Sequence, residues 1–62
     1  MNENLKHIGE YKIDILTANM SRSGSEFKST LKDAKLRKKA LKASGYVVTI
    51  FKVTDAGGLI YA

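Results

Sequence analysis

The sequence has no cysteine, a single histidine and no apolar stretch approaching membrane-spanning length. Without cysteine there is neither a disulfide staple nor a thiolate metal site, so stability has to come from packing or from a partner chain. His7 lies in a polar N-terminal stretch with no carboxylate cluster beside it, which argues against a metal centre or a bound cofactor. The most apolar run, residues 46–51, falls far short of a bilayer span, and the opening Met1, Asn2, Glu3, Asn4 lacks a signal peptide's basic and apolar regions. The expectation is a soluble cytoplasmic protein without membrane contact. Length is limiting too. A chain of 62 residues leaves no room for a second domain or a deep catalytic cleft, and at this size only about 60% of the unfolded chain's surface is buried on folding.

Catalytic motifs are also missing. The run Ser21, Arg22, Ser23, Gly24, Ser25 has hydroxyls and a glycine but not the Gly-x-x-x-x-Gly-Lys spacing of a phosphate-binding loop, and it reads as a hairpin loop. Glu10, Asp14 and Asp55 could pair as acid and base only if something gathered them in a pocket, and the sequence gives no such sign. The reading is of a non-enzymatic protein with no small-molecule substrate.

What the sequence does have is charge, placed unevenly. Residues 28–42 hold Lys28, Lys32, Lys35, Arg37, Lys38, Lys39 and Lys42 against Asp33 alone, a net +6, while the rest of the chain sums to −1. A one-sided basic field of this kind suits a polyanionic partner.

The pattern along the chain predicts an α+β fold of order β-β-α-β-β, with one helix across a mainly antiparallel four-stranded sheet. Residues 1–9 read as a flexible tail, although Leu5 and Ile8 could instead extend the first strand past a bulge at Gly9, and residues 10–62 read as a single domain. Tyr11, Ile13, Ile15 and Thr17 alternate with Lys12 and Asp14, as in a half-buried strand. Residues 19–25 read as a loop and residues 25–29, around Phe27, as a short second strand. A competing reading makes that segment helical, with Ser23 and Glu26 as a capping box. Thr30 and Asp33 cap as well and leave Phe27 a sheet position, so the later helix start is preferred. The helix then runs over residues 31–44 and stops at Gly45. Residues 46–54 form an apolar, β-branched third strand, residues 55–58 a hairpin turn and residues 59–61 a closing strand. Strands one and three are expected at the centre.

On a helical projection at 100° per residue, Leu31, Ala34 and Leu41 fall within about 80° of one another and should meet the sheet. Lys32, Lys35, Lys39 and Lys42 fill a second arc, with Lys28 a candidate to extend the row. These lysines are the predicted contacts for nucleic acid or an acidic protein surface; a solvated face is the plainer alternative. Leu36, Ala40 and Ala43 form a weaker apolar stripe nearly opposite the first. On the third strand, Val47, Phe51 and Val53 share one parity and Tyr46, Val48 and Ile50 the other, and one helix can cover only one set. The uncovered set, or the Leu36, Ala40, Ala43 stripe, is a predicted homodimer contact. Tyr11, Phe27, Tyr46, Phe51 and Tyr61 all lie on strands, as core rings or as aromatics on an open face of the kind that reads single-stranded nucleic acid. No RNP motif surrounds Phe51.

Phe27, then Thr30, Leu31, Lys32, Asp33, Ala34, then Gly45, Tyr46, Val47, Val48, Thr49 resembles a pattern of small phage-type accessory proteins, distantly including the small RNA polymerase inhibitors of T-odd coliphages. The matched positions are a cap, core residues, a C-terminal glycine and a strand start. The helix here is basic where that of the inhibitors is acidic. The resemblance implies a β-β-α-β-type fold and a stand-alone phage or mobile-element accessory role. Two functions are therefore expected: contact with nucleic acid, or with a nucleic-acid-bound host machine, through the lysine helix; alternatively, inhibition of a host enzyme through the uncovered sheet face or an edge strand.

Overall fold

The computed structural model describes residues 3–62. A 3-10 turn, Glu3–His7, leads into β1 (Tyr11–Leu16), β2 (Arg22–Lys28), α1 (Leu31–Ala43), β3 (Val47–Val53) and β4 (Leu59–Tyr61). The strands form one antiparallel sheet of order β2-β1-β3-β4, with β1 and β3 at its centre. The α+β fold and the β-β-α-β-β order are those expected.

The alternation of β1 explains how the sheet meets the helix. Ile13 lies opposite Ile50, and Ile15 opposite Val48, so four β-branched side chains rise from the two central strands on one face. Ala34 and Leu41 of α1 close over them, with Tyr11 and Leu31 packed at the margin. Ile13 and Ala34 have no exposed surface. Full burial of each large aliphatic side chain contributes about 1.5–3 kcal/mol, and the alanine lets the helix backbone approach the sheet closely. Val48 and Ile50 thus form the covered parity of β3.

Both helix ends are set by local chemistry. Thr30 is the N-cap, its Oγ1 accepting from the Asp33 N–H at 3.2 Å, which settles the later start and leaves Phe27 on a strand. At the other end the Gly45 N–H bonds Lys42 O at 3.0 Å and the Tyr46 N–H bonds Leu41 O at 3.1 Å. This is the paired closure that a glycine in the left-handed region makes, and Gly45 has φ 93°. Tyr46 is held in this closure, so β3 starts one residue later than the sequence suggests.

Two segments depart from expectation. β2 begins at Arg22, and Arg22 and Gly24, expected as loop, are already laddered to β1. The true turn is shorter: Thr17 N–H bonds Ser21 O at 2.8 Å, Met20 N–H bonds Thr17 O at 2.8 Å, and Met20 adopts φ 65°. A register shift between Ile15 and Leu16 absorbs the extra residue in β2.

The N-terminal residues also differ from the strand extension considered for Leu5 and Ile8. The 3-10 turn packs on the sheet face away from α1. The Asn4 side-chain amide donates to Gly57 O at 3.1 Å, and the His7 ring stacks on Phe27 with centroids 3.7 Å apart. Gly9 N–H reaches Val53 O at 3.1 Å. Val53 lies beneath this crossing and is only 1% exposed.

Candidate nucleic-acid interface

The two flanks of α1 carry cations in different states. On the β2 flank, Arg37 grips the carboxylate of Glu26 and Lys28 Nζ stands 3.9 Å from it. The Arg37 hydrogen bonds, reinforced by the positive charge of Arg37 and Lys28, hold the Glu26 carboxyl below its ordinary 4.5 despite some opposing desolvation. The same hydrogen bonds raise Arg37. Lys28 therefore belongs to this ion-paired cluster and not to the row on the helix.

On the β3 flank and the outer surface the lysines are free. Lys32, Lys35, Lys39 and Lys42 are exposed, as their helical spacing predicts. Lys38 joins them: Lys35, Lys38, Lys39 and Lys42 together line one shallow depression. Among the described residues none of these five has an acidic side chain within ion-pairing distance. Lys38 projects toward β3, just outside the arc drawn from the sequence, and its i, i+3 and i, i+4 relation to Lys35 and Lys42 is the signal that identifies it.

Below Lys35 and Lys38 the sheet offers a groove of about 270 Å³. It is walled by Leu31, Lys35 and Lys38, floored by Val48, Thr49 and Ile50, and closed at one end by Tyr61 and Ala62. It exists because β4 pairs only with Phe51, Lys52 and Val53. Among the described residues no strand consequently lies against the outer edge of β3 at Val47, Val48 and Thr49.

The face opposite α1 is organised in ranks. Phe27, Lys12, Phe51 and Tyr61 are successive cross-strand neighbours over all four strands, and Ser25, Asp14 and Thr49 form the next rank. Lys12 Nζ lies 5.7 Å from the Phe27 ring centroid, and the Phe51 and Tyr61 centroids are 5.1 Å apart. Phe27 and Phe51 are half-buried, whereas Tyr61 is 81% exposed. Asp14 Oδ1 is buried and has no hydrogen-bond partner among the described residues.

The residues considered for self-association are dispersed. Leu36, Ala40 and Ala43 are exposed on α1, with Leu36 among Lys32, Lys35 and Lys39. Val47 is exposed and Phe51 half-covered on the sheet face, while Val53 lies under the N-terminal turn and has no surface to offer. The three carboxylates weighed as acid and base have separate surroundings: Glu10 lies 2.7 Å from His7 Nδ1, Asp14 sits in the ladder between Ser25 and Thr49, and Asp55 is exposed in the β3–β4 turn. Among the described residues no three His, Asp or Glu side chains group as metal ligands, and no helix is long and apolar enough to cross a membrane.

In comparison with known proteins, the chain matches no family model, no curated protein and no solved structure.

Proposed function

We propose that this protein binds nucleic acid, free or held in a larger assembly, through the lysine face of α1, and that it works in the cytoplasm as a small accessory protein of phage or mobile-element type. One observation carries the reading: Lys32, Lys35, Lys38, Lys39 and Lys42 crowd one side of a helix with no acidic side chain within ion-pairing distance among the described residues, while Glu26 is engaged by Arg37 and Lys28 on the other side. Five neighbouring ammonium groups repel one another, and a polyanion relieves that repulsion while releasing its own condensed counterions. From Lys32 to Lys42 the row extends about 15 Å along the helix axis at 1.5 Å per residue, the length of roughly four phosphates on one strand of a duplex.

A salt titration tests this. With four or five phosphates contacted, log affinity for an oligonucleotide should fall with log salt at a slope of about −4 for a duplex or about −3 for a single strand. Replacing Lys32, Lys35, Lys39 and Lys42 together by Gln keeps helix propensity and should flatten most of that slope with the fold intact. No detectable binding at low salt would refute the proposal.

A second reading rests on the free edge of β3. An extended segment of a protein partner, a host enzyme for instance, could add a strand beside Val47, Val48 and Thr49. Such binding would survive the four Lys→Gln substitutions and depend little on salt.

A further inference from the structure

Extending the nucleic-acid reading, on which it rests, we infer that the ligand is single-stranded and that one of its bases stacks on Tyr61. The lysines follow α1 from Lys42 to Lys35, and Lys35 and Lys38 share the groove beside β3 with Tyr61. A backbone laid along those ammonium groups therefore reaches the open edge of β3, where Tyr61 bounds the groove and carries its ring round the edge on the Phe51 side of the sheet.

That ring is prepared for a planar ligand. Tyr61 is 81% exposed, yet it is backed by Phe51, 5.1 Å away and tilted by 33°. The backbone around it is also fixed: Phe51 and Tyr61 are ladder partners, and Ala62 N–H bonds Ile50 O at 3.1 Å. An exposed ring on a fixed strand costs little further ordering when a base covers it. In a duplex the base faces are already stacked on one another, and only the phosphates could use the lysine row. A single strand can use both the row and the ring. The groove, at about 270 Å³, is on the scale of one nucleotide. Charge complementarity selects this occupant over a second copy of the chain, because a twofold pairing at the β3 edge would bring two lysine flanks together.

The test compares fluorescently labelled oligo-dT, oligo-rU and a blunt duplex of equal length, at low salt, on wild type, Tyr61→Leu and Tyr61→Phe. Wild type should prefer the single strands. Tyr61→Leu should weaken binding of oligo-dT, oligo-rU or both by about ten-fold or more, with duplex binding unchanged and Tyr61→Phe near wild type, since base–aromatic stacking needs the ring and not the hydroxyl. Which oligomer suffers separates DNA from RNA as the source of the base. A second measurement does not depend on how Tyr61→Leu folds: saturating single strand should quench tyrosine emission in wild type, and the quench should largely vanish in Tyr61→Phe. Equal single-strand affinity in wild type and Tyr61→Leu, a preference for duplex, or no quench overturns the inference and leaves the lysine reading standing. Absence of binding to all three oligomers removes the lysine reading, and this inference with it.

Discussion

The Arg37 guanidinium takes both carboxylate oxygens of Glu26, with Nε at 3.0 and 3.2 Å and Nη2 at 3.0 Å, and so fastens the middle of α1 to the edge strand β2. This fork fixes how the helix is rolled about its axis. With Arg37 turned toward β2, Lys38 and Lys35 are turned toward β3.

The same fork should give stability a pH dependence. The folded-state pKa of Glu26 is depressed from 4.5, so the contribution of the pair is complete above the unfolded value and is lost as pH falls through the folded one. Wild type should lose melting temperature on acidification below about pH 4.5 more steeply than Glu26→Gln, whose profile lacks this component. Both partners are partly solvated, so the gap should be modest near neutrality and close in acid. Thermal melts of the two proteins between about pH 3 and 6 provide the check; parallel profiles would mean the fork contributes nothing.

Asp14 points a carboxylate oxygen into the sheet face between Ser25 and Thr49, with no donor for it among the described residues. Threonine in its place has higher strand propensity and can exchange a hydroxyl hydrogen bond with either neighbour. Asp14→Thr should stabilise the fold by about 1 kcal/mol in urea unfolding. A loss of stability would show that the carboxylate has a structural role.

At Gly45 a Cβ would meet no atom within 4 Å, so the cost of a side chain there is that of the left-handed backbone alone. Gly45→Ala should destabilise by about 1–2 kcal/mol. Gly45→Asn should cost clearly less, because asparagine tolerates this region. Equal losses would point to a steric cause.

Removing the His7 ring should release the N-terminal turn without unfolding the domain. His7→Ala is expected to cost about 1 kcal/mol. Amide exchange of Gly9, whose N–H bonds Val53 O, should accelerate much more than that of Ile13 or Ile50. Uniform acceleration across the sheet would mean that the turn belongs to the main cooperative unit.

The features legible in the sequence were those with a local cause. Period-two alternation marked β1, Thr30 and Gly45 marked the helix ends, and a 100° projection placed Lys32, Lys35, Lys39 and Lys42 on one side. Serine and glycine supply no apolar signal over residues 22–24, where the sequence predicts a loop, and a strand forms there because β1 provides the ladder. The N-terminal turn has no local signal, since its anchors, Phe27 and Gly57, lie far along the chain. The same limit applies to the site. That Glu26 would capture Lys28, or that Phe27, Lys12, Phe51 and Tyr61 would line up across four strands, follows only from register, which no single segment encodes.

The central position of β1 has a consequence for how the chain folds. β1 and β2 can zip as a hairpin soon after both are synthesised, but the pairing that completes the core joins Leu16 to Val47 across residues 17–46. Until then the inward face of the hairpin, Tyr11, Ile13 and Ile15, has nothing to pack against. The slow event in folding should therefore be closure of that long loop, with α1 formed inside it, and the rate should respond more to the stiffness of the β2–α1 and α1–β3 junctions than to the hairpin turn at Thr17.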